Sequence, residues 1–361
     1  APSRILTNRF VRAEVVPLAT GAVVGLEYLP LKKEIMTPFT YSVEKIDLIP
    51  DRVVIAGGGS RILLWDIKNL SSQEMQIVQE TASPERCSIE LFNPYYQSTD
   101  LSLRRIVFLT KERAALQLSL HAENRAKSER TFTLWDNMVA QLDDQSMDAV
   151  LIPARGQVSR VGKRGVLCLP EDTIFVDDDD VFDKSVYIAP ARNWIARRNP
   201  ASKLIFAIRS DYQDLHPDGL FYTWKKQAGS PLHTMELIFN PITLQAGESK
   251  TYHLEYLFFC GLPDLHEICG DIGIYAEADK RQLRFLFNCV QPDTTKTLQI
   301  RLLDKDRKEW ILGEKKLSFR HPAEVSKATY SLPNLPLGTY RICGSFNDTE
   351  NFELLKQLII D

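Results

Sequence analysis

No apolar run in this 361-residue sequence approaches the length a membrane-spanning helix needs. The longest, such as Tyr256-Leu257-Phe258-Phe259-Cys260, are the size of a strand. A surplus of positive charge is missing too. The 44 Lys and Arg face 47 Asp and Glu, a formal charge of -3, whereas nucleic-acid binders carry a basic excess that displaces phosphate counterions. Nucleic acid is therefore not an expected partner. Six cysteines are too few to make a chain this long a disulfide scaffold. Cys260 and Cys269 are close enough to bridge a short loop, and Cys289 with Cys343 to staple a C-terminal sandwich. Against the second pair, Cys289 alternates with Phe285 and Phe287 while Cys343 alternates with Arg341 and Ser345, which sets them on opposite faces of their strands. No Cys-x-x-Cys pair or close His/Cys cluster calls for zinc, and no cofactor is expected. Long amphipathic helical runs are scarce, with residues 351–360 ambiguous. The sequence opens on Ala1-Pro2-Ser3 without an initiator Met, from which an exported protein, secreted or periplasmic, is expected.

What is present is alternation with period two. Hydrophobic residues make up 44% and charged residues 25%, ordinary for a folded globular chain. Leu116, Leu118 and Leu120 alternate with Gln117, Ser119 and His121; Tyr252, Leu254, Tyr256 and Phe258 alternate with His253, Glu255 and Leu257. Leu283, Phe285 and Phe287 repeat the pattern, as do Leu298, Ile300 and Leu302. Such runs are strands with one buried face. Turn chemistry at Asn93-Pro94, Gln245-Ala246-Gly247-Glu248 and Leu337-Gly338 separates them. The sequence thus predicts an all-β protein in two units. Residues 1–259 form the larger unit, an antiparallel β-sandwich; residues 264–361 have the size and strand rhythm of an immunoglobulin-like sandwich. Cys260-Gly261-Leu262-Pro263 is the expected junction.

Three stretches of the larger unit resemble the galactose mutarotase-like fold of aldose 1-epimerases, which implies a large antiparallel supersandwich over residues 1–259. Residues 13–26 are similar to its opening hairpin around a Gly-containing turn. Residues 103–137 are similar to its paired strands, with Leu118-Ser119-Leu120-His121-Ala122-Glu123-Asn124-Arg125 in the middle. Met235-Glu236-Leu237-Ile238-Phe239-Asn240-Pro241 and the turn at 244–248 resemble its late strand. The resemblance implies a sugar or polysaccharide ligand. It also implies a His acid and a Glu base on either side of one pyranose ring. The family's His falls near Trp135-Asp136-Asn137, where this sequence has none, and Glu236 lies near the family's Glu. Conventional mutarotation is accordingly not expected.

The candidate catalytic groups are Asp136, His233 and Glu236; the candidate substrate contacts are Arg105, Trp135, Asn137, Arg192 and Trp194. An indole face packs on pyranose C–H groups and Asp or Asn pairs with hydroxyls. The competing reading is a core Trp135 beside a turn. Arg192-Asn193-Trp194, with Arg197 and Arg198, offers guanidinium forks for uronates or sulfates, or else an exposed basic loop. Only one of Arg104 and Arg105 can face a given side of their strand. Asp177 to Asp180 with Asp183 read as a solvated acidic loop rather than a calcium site, and no metal is assigned. Gly57-Gly58-Gly59-Ser60 lacks a following Gly-Lys-Ser/Thr and reads as a hairpin. Asn69-Leu70-Ser71 and Asn347-Asp348-Thr349 are glycosylation sequons in form. The expected function is a carbohydrate-binding or carbohydrate-processing accessory protein. The alternative is an epimerase, lyase or hydrolase with another acid/base set, and a polar cleft separates both from an adhesion module. The oligomeric state is left open.

Overall fold

The structure, a computed structural model, describes residues 3–36, 41–43, 53–55, 59–67, 71–142, 148–156, 158–161, 165–169, 171–178, 184–228, 230–279, 281–347 and 350–360. Gly57, Gly58, Asn69, Leu70, Asp179, Asp180, Asp183, Asp348 and Thr349 lie outside the described residues.

The alternating runs pair into two large antiparallel sheets. The middle of a twelve-stranded sheet runs Gly59–Leu64, Leu134–Val139, Glu236–Ile238, Leu220–Ala228, Lys184–Ile188. The middle of a nine-stranded sheet runs Trp194–Asn199, Leu204–Ser210, Ser249–Cys260, Ala115–Asn124, Leu101–Thr110. One apolar core fills the space between them. Ile62, Leu64, Leu134, Phe221 and Leu237 enter it from the first sheet; Phe206, Leu116, Leu118, Leu254 and Phe258 enter it from the second. Strand pleating explains the pattern, because side chains two residues apart share a face. Among the described residues the one α-helix is the single turn Tyr212–Leu215, and no helix is long and apolar enough to cross a membrane.

Two smaller sheets follow. A four-stranded one holds Ile272–Ala278 and Gln282–Cys289, a five-stranded one holds Thr294–Leu303 and Gly338–Phe346, and they enclose a separate core. Residues 351–360 resolve into strand rather than helix, within Glu350–Glu353 and Leu358–Ile360. All six cysteines are free, so neither expected bridge is formed. Cys289 belongs to the inner core, whereas Cys343 points away from it, its Sγ 3.8 Å from Glu353.

The smaller sheets dock on the far side of the nine-stranded one. Leu257, Phe259 and Ile205 face away from the inter-sheet core yet are fully buried or nearly so. Leu262, Leu265, Ile268 and Val290 extend the first core across this junction. The approach is close: a Cβ at Gly273 would sit 2.7 Å from Cδ1 of Phe259. Asn288, without solvent exposure, satisfies the seam's backbone. It accepts from the Cys260 amide at 3.0 Å and donates to the carbonyls of Pro322 and Glu324, each at 2.8 Å. Ion pairs rim the contact: Arg192 with Glu267, Arg198 with Asp264, and Arg113 with Asp271.

A chain ending at residue 259 would uncover Leu257, Phe259 and Ile205, an apolar patch that soluble surfaces rarely carry. We expect it to aggregate or to bind the dye ANS strongly, whereas the full chain does neither. A soluble, cooperatively melting 1–259 product with no dye binding would contradict the docking.

Candidate functional site

Pairing across five strands gathers side chains on the outer face of the twelve-stranded sheet. Asn137 stands opposite Arg61 and Trp135 opposite Leu63; Trp135 also pairs with Ile238, Glu236 with Tyr222, and Tyr222 with Tyr187. Their sequence neighbours Ile62, Leu134, Leu237, Phe221 and Val186 all point into the core. Trp135, Leu63 and Ile238 form their own small apolar cluster, with Trp65, Leu220 and Tyr222 packed against it. The aromatic rings interlock. Trp65 meets Trp135 edge-on at 5.1 Å and Tyr222 at 5.7 Å, and Tyr187 tilts against Tyr222 at 4.7 Å. Trp135 lies beneath, only 6% exposed, while Trp65, Tyr187 and Tyr222 are half-buried.

At the base of this aromatic plate is a buried carboxyl. Glu236 Oε2 accepts from Trp135 Nε1 at 2.5 Å and from Asn137 Nδ2 at 2.9 Å. Arg61 Nη2 in turn donates to Asn137 Oδ1 at 2.7 Å. Burial pushes Glu236 up to about 7, against the pull of its hydrogen bonds from Thr234, Asn137 and Trp135 and of the Arg61 charge. Burial likewise draws Arg61 down to about 10, opposed by Glu236. A carboxyl balanced near neutral pH can accept or donate a proton there, the property acid/base chemistry uses.

The other candidates lie elsewhere. Asp136, one residue from Trp135, points into the core between the sheets, where Tyr256 donates to both its oxygens at 3.1 Å and Ser60 lies 3.2 Å away. Burial raises it to about 6 against the nearby Arg105 charge. Arg105 is fully buried in the same layer and donates to the Gly21 carbonyl at 2.7 Å. Neither is on the aromatic face: Asp136 sits between Trp135 and Asn137, where alternate positions face opposite ways, and Arg105 belongs to the nine-stranded sheet. His233 also turns inward. Its Nε2 is 2.9 Å from Asp177, which Thr223 and Lys184 also bond. Burial lowers His233 to about 4 despite that carboxylate, so it is a neutral imidazole at pH 7 and does not meet Glu236. Arg197 donates to the His233 carbonyl at 2.5 Å. Arg192 and Trp194 both bond Glu267, at 2.6 and 2.9 Å, and belong to the docking seam. Of the eight candidates, the structure brings together Trp135, Asn137 and Glu236.

Arg61, Trp65, Tyr187 and Tyr222 complete the face and were not among the sequence candidates. One signal for the first two was available: Arg61-Ile62-Leu63-Leu64-Trp65 reads as a strand whose odd positions match Trp135 and Asn137. Tyr187 and Tyr222 come from distant segments, and only the ladder reveals their register. Among the described residues no group of His, Cys, Asp and Glu is placed to hold a metal ion.

No family model and no curated protein matches the sequence. Solved structures do. A galactose mutarotase related enzyme from Lactobacillus acidophilus superposes with a TM-score of 0.51 at 11% identity, over 71% of this chain and 97% of that one. A TPR-domain containing protein from Parabacteroides distasonis superposes with a TM-score of 0.53 at 13% identity, over 70% of this chain and 46% of the other. At such identities the likeness is one of fold. The all-β architecture is a mutarotase-like supersandwich, as the sequence resemblance implied.

Two outcomes test this site. Glu236 has a folded pKa of about 7 against 4.5 for the free side chain, so its protonated form favours the fold. Its contribution is intact below pH ~4.5 and is lost as pH rises through ~7. Intrinsic tryptophan fluorescence should titrate with a midpoint near 7, and Glu236→Gln should abolish the transition. A midpoint at the ordinary carboxylate value would contradict the assignment. Trp135→Ala should cost about 3–5 kcal/mol in denaturant unfolding, since this indole is buried; a near-zero cost would place it in open solvent.

Proposed function

We propose that the chain is a carbohydrate-binding protein whose ligand lies on the outer face of the twelve-stranded sheet. One observation carries the reading: half-buried Trp65, Tyr187 and Tyr222 share this face with a buried chain of polar groups running from Arg61 through Asn137 to Glu236. Aromatic rings offer flat apolar surface to pyranose C–H groups, and the carboxyl and amide pair with ring hydroxyls. Trp135 serves from below by fixing the Glu236 carboxyl through its indole N–H. The mutarotase-like fold supports a sugar ligand by analogy. In the same reading the C-terminal strands form an immunoglobulin-like sandwich that braces or spaces the larger unit.

The Glu236 pKa favours a second reading, an enzyme with Glu236 as acid/base group. Ring opening at an anomeric centre needs two groups, one donating to the ring oxygen and one accepting the hydroxyl proton. Among the described residues of this face no histidine stands beside Glu236, and His233 is committed to Asp177. Binding is therefore the primary proposal.

A glycan array probed with the intact protein should return bound sugars. Trp65→Ala should weaken the best of them at least about tenfold, equivalent to about 1.4 kcal/mol. An empty array, or binding indifferent to Trp65→Ala, would overturn the proposal. Polarimetry of fresh α-glucose and α-galactose should show no acceleration. Acceleration that Glu236→Gln removes would establish the enzyme instead.

A further inference from the structure

A second cleft, of about 450 Å³, opens where the smaller sheets meet the nine-stranded sheet, on the opposite side of the molecule's main core from Glu236. Its floor is the outer face of that sheet. Gln117 stands opposite Phe108 and Glu255, and Arg209 opposite Glu255, with His253 two residues before Glu255 on the same side. Asn193, Ser210 and Asp211 make one wall, and Ile268 with Gly270 of the smaller sheets make the other. The cleft thus exists only in the docked chain.

Its charges are largely spoken for. Arg209 spends all three nitrogens, on Glu255 twice and on the Gly270 carbonyl. Arg113 pairs with Glu255 at 2.8 Å and with Asp271. Burial would raise Glu255, but Arg209 and Arg113 outweigh it and hold it below the usual carboxylate range, so it is ionised and fixed. Ser210 Oγ donates to the His253 carbonyl at 2.8 Å, and Asn193 Nδ2 to the Ser210 carbonyl at 2.7 Å, which sets the wall against the floor. Two side chains keep unused capacity. The His253 imidazole and the Asp211 carboxylate are both exposed, and neither has a hydrogen-bond partner among the described residues.

We propose that this interface cleft is a second ligand site, for a neutral polyhydroxylated molecule the size of a disaccharide. The volume falls within the usual range for small-molecule sites, about 300–1,000 Å³. The rim carries acceptors and donors together: Asp211 accepts, Gln117 and Asn193 do both, and His253 does either through its two nitrogens. Hydroxyl groups match such a rim because each also donates and accepts. Anions do not match it. Arg113 and Arg209 are outnumbered by Glu255, Asp271 and Asp211, and the Arg209 guanidinium already faces Glu255 and the Gly270 carbonyl. The site shares no residue with the Glu236 face and does not rest on that face binding sugar.

The test is imidazole NMR on the intact chain with labelled histidine, the His253 signal being assigned by its loss in His253→Ala. Cellobiose, maltose, glucuronate and putrescine are titrated separately to millimolar concentration. Saturable movement of the His253 signal by at least one neutral disaccharide, weakened about tenfold or more in Asp211→Asn and unchanged in Trp65→Ala, is the expected result. Movement by glucuronate or putrescine but by neither disaccharide, or by no probe at all, overturns the proposal. Because Trp65 reports only on the other face, failure there and failure here are read separately.

Discussion

Side chains on a β-strand alternate between faces, and on Leu134–Val139 that alternation parts two buried carboxyl networks by the thickness of one sheet. Trp135 and Asn137 turn outward to hold Glu236; Asp136, between them, turns inward to Tyr256 and Ser60. Everything else about the site follows from this register. A slip by one residue would send Asp136 to the aromatic face and drive an indole into the inter-sheet core. Asp136 and its partners span the two sheets, since Ser60 and Tyr256 come from opposite layers. Polar bonds that close only in one register specify the alignment that apolar packing alone leaves loose.

The docking of the smaller sheets is the second constraint. The nine-stranded sheet is buried on both faces where Ile205, Leu257 and Phe259 lie, so its strands there are apolar at consecutive positions, as Leu257-Phe258-Phe259 shows. Burial on both faces removes the alternation that half-buried strands display. The charged residues around the seam are partly buried and paired, and a buried pair offsets its own desolvation rather than adding much strength. Their role is geometric: Glu267 receives both the Arg192 guanidinium and the Trp194 indole N–H, which fixes the angle of approach.

Much of this was legible in the sequence, for reasons that also explain what was not. Alternating leucines at 116, 118 and 120 identify a strand and its buried side whatever their partners are. Gly247, at a φ of +76°, sits in the turn where Gln245-Ala246-Gly247-Glu248 predicts one. Trp135, Asn137 and Glu236 were recognisable as polar and aromatic groups near strand segments of the right kind. Asp136 was grouped with them by adjacency, although adjacency in a strand means opposite faces. Arg192 and Trp194 look like a ligand clamp, and chemically they are one; the carboxylate they hold, Glu267, belongs to the same chain. His233 stands three residues from Glu236 along the same edge of Leu220–Ala228, and an odd separation in a strand puts the two side chains on opposite faces. Tyr187 and Tyr222 could not be placed without the ladder that pairs them.

The proposed sugar site is the plate formed by Trp65, Tyr187 and Tyr222 with the Glu236 carboxyl beneath it. A crystal structure of the intact chain, grown with the glycan that binds best on an array, tests this most directly. A pyranose ring over Trp65 or Tyr222, with a hydroxyl within hydrogen-bond reach of Glu236 or Asn137, is the expected result. A glycan bound away from this face, with these aromatic rings uncovered, would contradict it.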